Sequence, residues 1–229
     1  MLHEGADDDG GTMDTRTGPL ASRAAGIGLL VYGIGTLVGG MGAGAPGGDY
    51  EDSLVTSYIR QSHWVPAFAL WYLCALSALA LLVVGSQLRR TGDWLGDVLW
   101  GLAVAGAAVS IVGAFVSGGL EVAMAEGGHA VQTGVPHPVV YTITEIGNLL
   151  AVCGPALTVG VGAVLVAARL PMPKGWRVVT VLAGVCGMLA PLYFTMGAFA
   201  LWTVAAGIAM TVAAGRAVRT TVEPAASLV

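Results

Sequence analysis

Residues 64–90 read WVPAFALWYLCALSALALLVVGSQLRR, and no charged side chain interrupts the run before Arg89. A helix rises about 1.5 Å per residue, so roughly 20 apolar residues cross the ~30 Å hydrocarbon layer of a bilayer. The run is long enough to span a membrane, and its ends agree with that. Trp64 suits the interface at one end, and the Arg89–Arg90 pair suits the cytoplasmic side at the other.

Working outward, further apolar runs lie at about 24–44, 94–118, 138–168 and 176–215. The last is too long for one crossing and is interrupted near Pro191 to Gly197, so it divides into two helices. The expected fold is all-α, a polytopic bundle of six transmembrane helices over residues 21–216. Residues 1–20, with Asp7, Asp8 and Asp9, read as a disordered cytoplasmic tail, and Met13 is an alternative start to Met1. Residues 217–229 read as a second, short cytoplasmic tail.

Composition excludes several classes. Hydrophobic residues make up 55% of the 229 and charged residues 10%, with a mean hydropathy of +0.77. A soluble domain carries roughly 25% charged residues. The net charge of −4 leaves no basic surface for nucleic acid. Cys74, Cys153 and Cys186 stand alone, without the spacing of a zinc or redox pair.

The basic residues test the helix count. With the N-terminus inside and six crossings, the inside segments hold Arg16, Arg23, Arg89, Arg90, Arg169, Lys174, Arg177, Arg216 and Arg219, and the outside holds Arg60 alone. This is the positive-inside bias, and it places both termini in the cytoplasm. Ala43-Gly44-Ala45 resembles a signal-cleavage site, which would remove residues 1–45. The long apolar run and Pro46 just after the cut argue against cleavage.

Small residues recur every four positions: Gly35 and Gly39, Gly113 and Ser117, Gly154, Thr158 and Gly162, and Gly207, Thr211 and Gly215. The spacing lets helix backbones approach. It serves packing within one bundle, or a homodimer or larger membrane complex.

The polar residues gather at the outer side. Counting back from Arg169 puts Tyr141, Glu145 and Asn148 on one helix face at the outer boundary. Glu121 and His63 fall at the same level, and His129 and His137 lie in the loop between the third and fourth helices. A carboxylate at the edge of an apolar span is costly and often functional. Glu145, Asn148, Tyr141, Glu121 and His63 are therefore candidate ligand-binding residues. His63, His129 and His137 are candidate ligands for a divalent metal. Pro155 is expected to kink the fourth helix near Gly154.

Arg23 before a Gly-rich run, Arg169-Leu170-Pro171, Gly175-Trp176 and the glycine-rich hairpin reaching Leu201-Trp202 form a wider pattern. It resembles an uncharacterised family of multi-spanning actinobacterial membrane proteins that carry a domain of unknown function. The resemblance covers most of residues 20–215 and implies a bacterial cytoplasmic membrane, with no activity to carry over. Three functions stay open. One is a non-enzymatic component that binds a small ligand, lipid or partner protein at the outer face. The second is a small proton- or cation-coupled transporter using Glu145, and the third an outward-facing metal-dependent or redox enzyme.

Overall fold

The computed structural model describes residues 22–60, 64–90 and 93–226. The tail through residue 20, with both candidate starts, and His63 lie outside the described residues. Among the described residues there is no strand. The helices are α1 (Arg23–Thr36), α2 (Asp52–Arg60), α3 (Trp64–Ala78), α4 (Ala80–Arg89) and α5 (Trp94–Gly134), then α6 (His137–Asn148), α7 (Gly154–Arg169), α8 (Lys174–Met188) and α9 (Met196–Ala226). A π turn, Leu37–Met41, extends α1, and another, Leu149–Cys153, joins α6 to α7.

Among the described residues, five segments are long and apolar enough to cross a membrane: Arg23–Met41, Trp64–Arg89, Trp94–Gly134, His137–Arg169 and Met196–Arg216. The sixth expected crossing corresponds to α8, which has 15 residues and falls short of that length. It ends before the short 3₁₀ turn Ala190–Leu192, where Pro191 cannot continue an α-helix.

Helix starts follow local chemistry. The Ser22 side chain accepts the Ala25 N–H at the head of α1, and Asp93 accepts the Gly96 N–H at the head of α5. Asp97, one turn in, instead meets Arg89 at 2.9 Å. The guanidinium of Arg169 stacks over Trp94 at the same end of the bundle.

Glycines set the closest helix contacts. A Cβ at Gly26 of α1 would lie 2.8 Å from the Gly207 carbonyl of α9, and one at Gly207 would lie 2.9 Å from the Gly26 carbonyl. A Cβ at Gly113 of α5 would lie 2.1 Å from the Ala151 nitrogen. Gly35 and Gly39 meet Ser77 and Cys74 in the same way. These four-residue patterns are used within the chain, where only small residues fit.

Pro155 stands at the junction of the π turn and α7. It has no N–H to give the Ala151 carbonyl four residues back, and the π turn lies immediately before it. The Ser110 hydroxyl of α5 donates to that carbonyl at 2.7 Å. One helix thus supplies the hydrogen bond that proline denies its neighbour.

Two expectations are corrected. The segment after residue 118 is not a loop, because α5 continues to Gly134 with one break at Gly128, whose φ of 53° only glycine adopts readily. At 41 residues, α5 exceeds a bilayer crossing by about a factor of two. Its far end packs against α2 and α6 in a satellite core of Val55, Tyr58, Ile59, Trp64, Leu120, Met124 and Val140. Glu121 is the second correction. It does not line an open outer face but lies fully buried in this region.

Candidate functional site at the Glu145 end of the bundle

The site is built where α6 meets the loop leaving α1. Tyr141, Glu145 and Asn148 share one face of the segment, as their spacing requires. The loop Gly42–Glu51 folds back over them. The Gly48 N–H donates to Glu145 Oε2 at 3.0 Å, and the Tyr141 hydroxyl donates to the Gly48 carbonyl. Gly48 adopts a φ of 86°, which a side chain would oppose. A Cβ on Gly47 would lie 2.6 Å from Asn148 Nδ2 and 3.0 Å from Glu145 Oε2. The Gly47-Gly48 pair therefore lets the backbone itself reach the carboxylate.

The second oxygen of Glu145 accepts from Tyr193, whose hydroxyl lies 3.0 Å from Oε1. Tyr193 follows the 3₁₀ turn with a φ of 54°, an uncommon conformation for a bulky residue that surrounding contacts must sustain. Burial first, and the Glu145 carboxylate second, hold this phenol well above its ordinary pKa. Tyr193 is accordingly a stable proton donor to Glu145. Tyr50 packs edge-on against Tyr141, with ring centroids 5.2 Å apart, and roofs the arrangement.

Beneath the loop lies a cavity of about 380 Å³ between α1, the α6–α7 segment and α9. Tyr32, Thr36, Ala45, Asn148, Tyr193 and Phe199 are among its walls. Thr36 Oγ1 is buried without a hydrogen-bond partner. The side chains of Tyr32 and Asn148, 2% and 9% exposed, add two more polar groups to the same walls. Buried polar groups are nearly always satisfied, so the idle Thr36 hydroxyl marks a place for a polar occupant.

The other candidate residues lie elsewhere. Glu121 accepts a hydrogen bond from Tyr58 of α2, while its Oε2 is buried with no partner. Burial, reinforced by that carboxyl group, pushes the Tyr58 pKa upward. His137 Nδ1 stands 2.8 Å from Asp52 Oδ1. Hydrogen bonds from His137 and then Tyr50 lower the Asp52 pKa. His129 is exposed near the end of α5. Among the described residues, no group of three or more His, Cys, Asp or Glu side chains converges as metal ligands.

No family model, curated protein or solved structure matches the chain. The chemistry of the site therefore stands on its own residues. Tyr193, Gly47, Gly48 and Tyr58 were not among the candidates read from sequence. The Pro46-Gly47-Gly48 turn and the Pro191 break mark where the backbone bends, but neither indicates which carboxylate waits opposite.

Proposed function

We propose that this chain is an integral membrane protein of a bacterial plasma membrane, with both termini cytoplasmic, that binds a small neutral amphipathic molecule at its outer end without enzymatic chemistry. The observation that carries this reading is the 380 Å³ cavity with the buried, unpartnered Thr36 hydroxyl and the polar side chains of Tyr32 and Asn148 on its walls. Tyr32 and Thr36 offer hydroxyls, Asn148 both donates and accepts, and the remaining wall is apolar. A hydroxyl- or carbonyl-bearing ligand with an apolar body fits that combination. The Gly42–Glu51 loop would close over it. In this reading α8 with the following 3₁₀ turn makes the sixth crossing, and the positive-inside bias supports it. Membership of the actinobacterial family belongs to the same proposal, as does a homodimer or larger complex.

The test is purification of the full chain in mild detergent, organic extraction and mass spectrometry of co-purifying small molecules. A species retained by the wild type and lost in Asn148→Leu supports the reading. Equal retention by both, or no retained species, overturns it. Cysteine-reactive probes at residues engineered in the Gly42–Glu51 loop and in the α7–α8 turn should label from opposite sides of the membrane.

Transport is the second reading, favoured by a second cavity that shares walls from α1 and α9, lined by Leu29 and Trp202 where the first is lined by Tyr32 and Thr203. Two cavities that share helices would suit an alternating-access path. Flux of a co-purifying solute into proteoliposomes, abolished by Glu145→Gln, would favour transport over simple binding.

A further inference from the structure

At the far end of the bundle from Glu145, the second cavity, of about 330 Å³, extends inward from the α7–α8 turn. Pro171 and Pro173 line its exposed rim, and helices α4, α5, α7, α8 and α9 line its depth. Along α9 the lining runs from Ala213 to Trp202. Eleven residues at ~1.5 Å each make roughly 16 Å. That is about half the ~30 Å hydrocarbon layer, the reach of one acyl chain in one leaflet.

Two features make the cavity other than purely apolar. Thr180, 3% exposed, and Trp202 both line the cavity, and the hydroxyl oxygen of one and the indole nitrogen of the other are buried without partners. Both groups can donate, and Thr180, about two turns into α8, lies nearer the rim, at the depth of an ester carbonyl. The rim is cationic. Lys174 and Arg177 are exposed immediately beside the lining residues Pro173 and Trp176. The first turn of α8 carries no acidic residue, and Pro173 provides no side-chain cap. The N–H groups of Lys174, Gly175 and Trp176 thus have no helical acceptor. Asp97, an acidic side chain at this end, is engaged by Arg89.

We propose that this cavity holds one acyl chain of an anionic phospholipid, with its phosphate on Lys174, Arg177 and the start of α8. The chain would fill the apolar channel as far as Trp202, the ester carbonyl would meet Thr180 near the head of α8, and the anion would sit at the positive end of the helix dipole. This site is separate from the outer one and does not depend on it.

The full chain is reconstituted in nanodiscs containing phosphatidylglycerol or phosphatidylcholine, then released into detergent, and retained lipid is counted by native mass spectrometry. Wild type is expected to retain one phosphatidylglycerol per chain in preference to phosphatidylcholine. Lys174→Gln and Arg177→Gln should each weaken retention roughly fivefold. Gly162→Leu should abolish it. A Cβ there meets Leu99 and Leu102 at 3.4 and 3.9 Å, both cavity walls, so the added side chain enters the channel. If Gly162→Leu fails to fold, the two surface variants and the isosteric Thr180→Val decide the matter. Equal retention of the two lipids, retention unaffected by these variants, displacement by millimolar inorganic phosphate alone, or a retained quinone in place of phospholipid would each overturn the proposal.

Discussion

The backbone N–H of Gly48 lies 3.0 Å from Oε2 of Glu145, joining two points 97 residues apart in the chain. The loop is held by its backbone, so its attachment depends on the absence of side chains at Gly47 and Gly48. Gly47→Ala is expected to lift the loop, because the new Cβ would press on Asn148 and Glu145. The cost should be about 1–3 kcal/mol. Hydrogen exchange over residues 42–51 checks this, with faster exchange there and unchanged protection in α7.

Tyr193→Phe removes the donor to Glu145 Oε1 while keeping the ring. Loss of a hydrogen bond to a carboxylate should cost on the order of 1–2 kcal/mol. The tyrosine carries its proton through ordinary alkaline pH, because its pKa is raised by burial and by Glu145. The difference between wild type and variant in thermal unfolding is therefore expected to persist between pH 7 and 10. A difference that vanished at pH 10 would contradict a protonated donor.

Ser110→Ala should destabilise the bundle by about 1–3 kcal/mol, since the Ala151 carbonyl loses the donor that stands in for Pro155. Pro155→Ala restores an N–H within the helix itself. The double variant should therefore be more stable than the sum of the single effects predicts. Thermal unfolding of all four proteins gives the coupling; strict additivity would show that Ser110 does not act through the proline.

Asp52 contributes a pH dependence of defined sign. Its pKa is lowered in the folded protein, first by the hydrogen bond with His137 and then by that with Tyr50. A depressed carboxylate stabilises the fold above its unfolded pKa of about 3.9, and that contribution fades as pH falls through the folded value. Asp52→Asn should accordingly lower the melting temperature slightly at pH 6. The gap should close below about pH 4.

How much could be read in advance follows from how local each signal was. Charges were so scarce that Arg89, Arg169 and Lys174 each marked a helix end or start. Tyr141, Glu145 and Asn148 were legible as one face because helical spacing alone sets it. Their partners were not, because Gly48 and Tyr193 approach through loops whose long-range closure leaves no trace in spacing. The far part of α5 was missed for a different reason. Polar residues after 118 suggest a loop, yet Leu120 and Met124 are buried against Tyr58 and Val140, and the helix runs on until Gly128 breaks it. Tertiary packing there overrides local propensity.

The Ser110–Ala151 hydrogen bond also limits which parts can slide. It pins α5 to the α6–α7 segment like a key in a slotted shaft, while the interlocked Gly26 and Gly207 couple α1 to α9. Gly35 and Gly39 seat the other side of α1 against Ser77 and Cys74 just as closely, so α1 is wedged between α9 and α3 and cannot slide along either without losing a backbone-close contact.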